Sequence, residues 1–244
     1  GRNAQATVAN DLNGDHGDMV AGIAGGAGNL DPTMRGMAPG SFLYIRQYNA
    51  NMGGTLDYHI DSNVLVFNSS YSNGCNAGYT NTTVLVDQEI YDNPTLMQVF
   101  SAGNSNGDDC GYGAGNQWGN ITGGHKQAKN VIATANVYYN GTLVPSSSRG
   151  PASDGRIKPD IAAHGNGQIS TDPNNIYNAG SGTSAANATA VVLSGSGFFD
   201  FRADGNEIPN NATLTADTSP AGDVLFSTRN FNNGDSYTIM VEVR

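Results

Sequence analysis

A chain of 244 residues is long enough for one large α/β domain, or for a core with a small added module. Charged residues make up only 13% and glycine reaches 33, which excludes coiled-coil and disordered acidic classes and points to a loop-rich globular protein. A net charge of −10, from 11 basic and 21 acidic residues, excludes the basic surface that nucleic-acid binding needs, and no apolar run approaches the roughly 20 residues of a membrane span.

In chain order, Gly1-Arg2-Asn3 opens straight into polar sequence with no signal peptide, so a processed or trimmed product is expected. Residues 20–24 have helix-like content. Residues 42–48 read as a strand after the turn Ala38-Pro39-Gly40, and residues 64–68 as a second. Residues 84–90 are helical in pattern, 97–101 form a third strand and 131–135 a fourth. This alternation predicts βαβ units around a buried parallel sheet, with the active site at the carboxyl ends of the strands. Beyond about residue 196 the character changes. Segments 213–217, 224–228 and 237–243 read as short strands, the last two joined through Asn232-Asn233-Gly234-Asp235, a hairpin signal. The chain is therefore divided into a core, 1–196, and a β-rich segment, 197–244, of antiparallel type.

Cys75 and Cys110 each lie in a Gly/Asn-rich loop. One disulfide in an oxidising compartment is expected, against the alternative of two free thiols. Two cysteines do not make a zinc site, and His59, His125 and His164 lack metal-ligand spacing. Six Asn-x-Ser/Thr sequons begin at Asn68, Asn81, Asn120, Asn140, Asn187 and Asn211. A glycan at Asn187 would crowd its neighbour Ser184.

Three polar elements carry chemistry. Gly182-Thr183-Ser184-Ala185-Ala186 presents a serine on a small-residue turn, where an Ala-rich stretch can start a helix whose amino end favours developing negative charge. His16-Gly17-Asp18-Met19-Val20-Ala21-Gly22 offers a base far upstream. Ser101-Ala102-Gly103-Asn104 follows a strand and offers an amide donor. Singly, each is as well read as a helix cap or a loop residue. Together they hold the parts of nucleophilic acyl transfer: nucleophile, base and oxyanion donor.

In this order the boxes resemble those of the subtilisin-like serine proteases, the subtilases of peptidase family S8. The histidine box resembles His-Gly-Thr-His-Val-Ala-Gly, and Met37-Ala38-Pro39-Gly40 resembles Val-Ala-Pro-Gly. Ser101-Ala102-Gly103-Asn104 resembles Ala-Ala-Gly-Asn. Ser147-Ser148-Arg149-Gly150 and Lys158-Pro159-Asp160-Ile161 are similar to the two segments before the serine, and Gly182-Thr183-Ser184 matches the serine box. The resemblance covers roughly residues 12 to 190. It implies a three-layer α/β fold with a mostly parallel sheet flanked by helices. It also implies a secreted, extracellular serine endopeptidase that acts on peptide or protein substrates and requires no cofactor. His16 and Ser184 would be catalytic, Asn104 would hold the oxyanion, and Ser70-Tyr71-Ser72 would pair with extended substrate as an added strand. For Tyr71 the alternative is a packed loop aromatic. Many subtilases use calcium for loop stability, so structural calcium stays open at Asp108, Asp109 and Asp154, with solvated loop acids as the alternative.

The chain departs from the pattern in three places. Subtilases place the catalytic Asp at the end of the first core strand, before the histidine. Only 15 residues precede His16, with no apolar strand ending in Asp. Asp11 and Asp15 belong to the loop entering the histidine helix. The first strand and its Asp are therefore expected from a missing segment or a second polypeptide. Ala188 and its neighbours replace the proline usual after the serine, and Gly195 and Gly197 predict a short helix there. Asp18-Met19 replaces Thr-His. These departures motivate a second reading, an inactive subtilase-derived scaffold used for binding or extracellular assembly by strand addition. A lipase or esterase is disfavoured, because no Gly-x-Ser-x-Gly elbow surrounds Ser184.

Overall fold

The computed structural model describes residues 2–7, 15–47, 54–75, 77–111, 114–195 and 238–243. Nine strands and four α-helices are present among them. The strands are β1 (Arg2–Thr7), β2 (Phe42–Gln47), β3 (Val66–Ser69), β4 (Met97–Ser101), β5 (Ile132–Val137), β6 (Ile161–His164), β7 (Asn166–Asp172), β8 (Ile176–Ser181) and β9 (Thr238–Val243). The helices are α1 (His16–Gly25), α2 (Thr55–Ser62), α3 (Asn81–Asp92) and α4 (Thr183–Gly195). Seven strands form one sheet in the order β1-β2-β9-β3-β4-β5-β6, with every neighbouring pair parallel. β7 and β8 form a separate antiparallel hairpin.

The parallel sheet is buried on both faces, and β4 shows how the sequence achieves it. Successive side chains of a strand point to opposite faces. Val99 joins the core formed with Val20, Ile23 and Ala24 of α1 and Ala185, Ala186, Ala188 and Ala190 of α4. Its neighbour Phe100 joins the opposite core, with Val86 of α3, Tyr71, Ala128 and Val131. Adjacent apolar residues such as Val99 and Phe100 are what this two-sided burial requires. The four alanines of α4 let the helix lie close to the sheet. A Cβ at Gly165, just after β6, would come within 2.4 Å of the Ala186 nitrogen, so only glycine fits that crossing.

The strands expected at 42–48, 64–68, 97–101 and 131–135 and the helices at 20–24 and 84–90 are present, with ends shifted by a few residues. The serine helix ends at Gly195, where glycine was expected to interrupt it. Two features differ. β1 forms from a polar stretch. It lies at the sheet edge with one neighbour, where a strand needs less apolar character. The strand expected at 237–243 does not pair in an antiparallel unit. As β9 it lies parallel between β2 and β3 and completes the ladders on both sides, which would otherwise leave two rows of unpaired backbone groups. Its expected partner 224–228 and the segment 213–217 lie outside the described residues.

The sheet's carboxyl end is braced beneath β3 and β4 by an unusual buried pair. The His125 ring sits 4.9 Å from the Phe100 ring and 5.5 Å from that of Tyr71. Lys126 is fully buried; its ammonium nitrogen donates to the Tyr71 carbonyl and, at 2.9 Å, to Thr122 Oγ1. Burial, with Lys126 adding to it, pushes His125 down to about 3, and burial pushes Lys126 down to about 7. Above these values the pair is uncharged, which is how the interior accommodates it. Cys75 and Cys110 form the expected disulfide, with Cα atoms 5.4 Å apart, and join the loops that follow β3 and β4.

Two outcomes follow for stability. Replacing both cysteines by serine removes a cross-link over 35 residues, worth about 4 kcal/mol on the chain-entropy account, and is expected to lower the unfolding free energy by about 2–4 kcal/mol in urea titration. His125 is depressed in the fold, so its contribution is complete above pH 6.5 and is lost as pH falls toward 3. Lys126 acts likewise between pH 10.5 and 7. Unfolding titrations across pH should therefore show a shallower acid limb in His125→Phe, and a flatter response between pH 7 and 10.5 in Lys126→Met.

Candidate active site

Ser184 stands in the first turn of α4, delivered there by the β7–β8 hairpin. Ser181 ends β8, Gly182 turns and Thr183 starts the helix. Gly182 adopts φ +126°, and a Cβ there would come within 3.2 Å of Asn104 Nδ2; both facts demand glycine. The helix's first free N–H groups point toward the turn, a ready site for negative charge.

Asn104 lies just past β4 and is locked to this turn. Its Oδ1 accepts from the Thr183 backbone N–H at 2.9 Å and from Thr183 Oγ1 at 3.1 Å. Because the backbone N–H can only donate, the oxygen must face Thr183 and Nδ2 must face away. The Gly103 N–H donates to Thr183 Oγ1 at 3.2 Å, closing the junction. From the other side the Ser148 N–H donates to the Gly103 carbonyl at 2.8 Å, and the Ser105 N–H to Ser148 Oγ at 3.0 Å. The Ser147-Ser148-Arg149-Gly150 box thus braces the Asn104 turn. Lys158 and Asp160 are paired at 2.6 Å, and Asp160 Oδ2 accepts from the Ala133 N–H. That box is a structural tie between β5 and β6.

His16 opens α1 and is partly buried. Its helix packs on α4, and the hairpin straps its first turn: Ser170 Oγ donates to the Met19 carbonyl at 2.8 Å and Thr171 Oγ1 to that of Asp18 at 2.7 Å. Burial lowers the His16 pKa below its ordinary value, against the opposing charge of Asp15, so the ring is held neutral and able to accept a proton. A cleft of about 220 Å³ lies beside it, lined by Asp15, His16, Met19, Asp172, Asn178 and Ser181 among others. No hydrogen bond joins the His16 ring to Ser184 Oγ among the described residues. Packing of α1 on α4 is what brings the two to one end of the sheet. Asp15 is exposed before α1 and makes no side-chain cap; Asp11 lies outside the described residues.

The expected substrate segment starts as β3 ends. Ser70 and Tyr71 are buried and Ser72 is exposed. The Tyr71 ring packs against Phe100 and His125, as the packed-aromatic alternative has it, while its carbonyl is anchored by Lys126. Among the described residues no group of three or more His, Cys, Asp or Glu could hold a metal. Asp109 caps its own turn at the Gly111 N–H, and Asp154 pairs with Arg156 at 2.8 Å. Asn68, Asn120 and Asn187 are fully buried, so none of these three sequons can carry a glycan in the fold; Asn81 and Asn140 are exposed.

Sequence reasoning missed Thr183 as a site residue, along with Lys126 and the hairpin. Thr183 stood inside a quoted box but was read as a spacer. Lys126 carried no signal, since an isolated lysine is ordinarily a surface residue.

Comparison with solved structures places this geometry in a known fold. The chain is similar to the prenylagaramide maturation protease PagA, with TM-score 0.59 and 18% identity over 79% of this chain and 69% of that one. The self-cleaved protease domain of PatA matches with TM-score 0.57 and 18% identity, covering 79% and 71%. Sphericase matches with TM-score 0.57 and 26% identity, covering 75% of this chain and 62% of its own. The subtilase family model matches residues 3–194. The chain belongs to the subtilase family and is a subtilisin-like serine protease.

Proposed function

We propose that the chain is the core of a secreted serine endopeptidase, with Ser184 as nucleophile, His16 as general base and Asn104 as oxyanion donor. The observation that carries this reading is the locked carboxamide of Asn104. Its Oδ1 is committed to Thr183, and its donor end is left for a ligand beside the serine turn. Ser184 Oγ attacks the scissile carbonyl as His16 accepts the hydroxyl proton. The carbonyl oxygen gains negative charge against Asn104 Nδ2 and the Ser184 N–H. Collapse breaks the C–N bond, His16 returns the proton to the leaving amine, and water then releases the acyl group by the same route. The disulfide and the acidic surface favour an oxidising, extracellular setting. The carboxylate that orients His16 is proposed to come from a strand outside these 244 residues or from a second polypeptide. Asp15, whose charge raises the His16 pKa, is exposed in the turn before α1 and does not stand at the end of a strand. Ser70-Tyr71-Ser72 is proposed to receive extended peptide along its backbone.

Full-length folded protein treated with a fluorophosphonate should gain one adduct at Ser184 by peptide mass spectrometry, and His16→Ala should abolish it. Folded wild-type protein that stays unlabelled would sink the reading. Asn104→Ala is expected to lower kcat on a peptide substrate by about 10²–10³-fold with KM little changed, a size known from subtilisin's own oxyanion asparagine rather than derived from this geometry.

A further inference from the structure

One turn after Ser184, helix α4 carries a residue that its packing does not explain. Ala185, Ala186, Ala188 and Ala190 meet the apolar core, yet between them Asn187 buries a carboxamide with no exposure. Its Nδ2 reaches Asn68 Oδ1 at 2.9 Å, the Val99 carbonyl at 3.1 Å and Ser70 Oγ at 3.3 Å, while its Oδ1 has no partner. A half-satisfied buried amide costs stability relative to an apolar residue of the same size.

The direction of these bonds can be deduced. Asn68 Nδ2 donates to Ser70 Oγ at 3.0 Å, and Asn187 Nδ2 lies 3.3 Å from the same oxygen, its two hydrogens having nearer acceptors in Asn68 Oδ1 and the Val99 carbonyl. Both nitrogens beside Ser70 Oγ only donate, so the hydroxyl proton of Ser70 must go elsewhere. The acceptor in reach is the carbonyl of Ser184, at 3.3 Å. Asn187 also holds Asn68 by its oxygen, which fixes the Asn68 donor on Ser70. The two amides therefore aim the Ser70 proton at the peptide unit of Ser184.

We infer that Asn187 is a positioning residue: through Asn68 and Ser70 it fixes the backbone of Ser184, and so couples the end of β3 to the placement of the nucleophile. The inference rests on the proposed role of Ser184. A misplacement of about 1 Å at a reacting atom can cost on the order of 10²-fold in rate without touching substrate affinity. The role therefore predicts a loss in kcat rather than in KM.

The test uses full-length protein assayed well below its unfolding temperature. Asn187→Leu keeps the branched heavy-atom frame, with bulkier methyls, and removes the donors; Ser70→Ala removes only the hydroxyl and adds no bulk. Each is expected to lower kcat and the fluorophosphonate labelling rate at least tenfold with KM within about threefold of wild type. The double variant is expected to fall no further than the worse single, because the residues act in one chain. Folded Asn187→Leu with kcat within threefold of wild type would overturn the inference. If Asn187→Leu does not fold, Ser70→Ala decides alone by the same threshold. A wild-type protein unlabelled at Ser184 removes the protease reading itself; active wild type with equally active variants removes only this inference.

Discussion

The Thr183–Asn104 hydrogen bonds join two ends of the molecule that no local sequence connects. One partner follows β4 and the other opens α4, 79 residues later. Everything proposed for catalysis depends on that junction, because it decides which end of the Asn104 carboxamide faces a substrate. The surrounding parts serve it. Gly182 permits the close approach, Gly103 closes it with a second donor, and Ser148 holds Gly103 from behind. A donor fixed before substrate arrives needs no reorganisation when charge develops, and this is the main source of its effect.

The same hairpin that delivers Ser184 also straps the first turn of the His16 helix. β7 holds α1 through two carbonyls, and β8 runs on into Gly182. The proposed base and nucleophile thus share one connector, which suits chemistry that tolerates little displacement. Beneath them the interior is polar to an unusual degree. His125 and Lys126 sit under the end of β3 and β4, where burial disfavours their charged forms, and Lys126 anchors the carbonyl of Tyr71. The wall expected to receive substrate is therefore held from below by the buried Lys126 amine and laterally by the Cys75–Cys110 bridge.

Much of this was legible in the residues. The stretch 97–101 announced a buried strand through Val99 and Phe100, adjacent apolar residues that serve opposite faces of the sheet. Gly182-Thr183-Ser184 and Ser101-Ala102-Gly103-Asn104 announced themselves because close backbone approach admits only small residues. The β7–β8 hairpin escaped notice, since its strands are rich in Gly, Asn and Ser and draw their order from α1 rather than from propensity. The network of Asn68, Ser70 and Asn187 was invisible for a different reason: its bonds span more than a hundred residues, and sequence shows no convergence. The last strand was recognised as a strand but assigned to the wrong sheet. A β-forming segment carries its propensity on its face, while its partner is chosen by whichever ladder stands open.

The central claim is that Ser184 is activated by a neutral, partly buried His16. The most direct measurement is the pH dependence of the second-order rate of fluorophosphonate attachment to Ser184. The account predicts a rate that rises through a single ionisation below pH 6.5, because burial disfavours the charged ring, and that loses this step in His16→Ala. A rate indifferent to pH, or the same profile in wild type and His16→Ala, would contradict it.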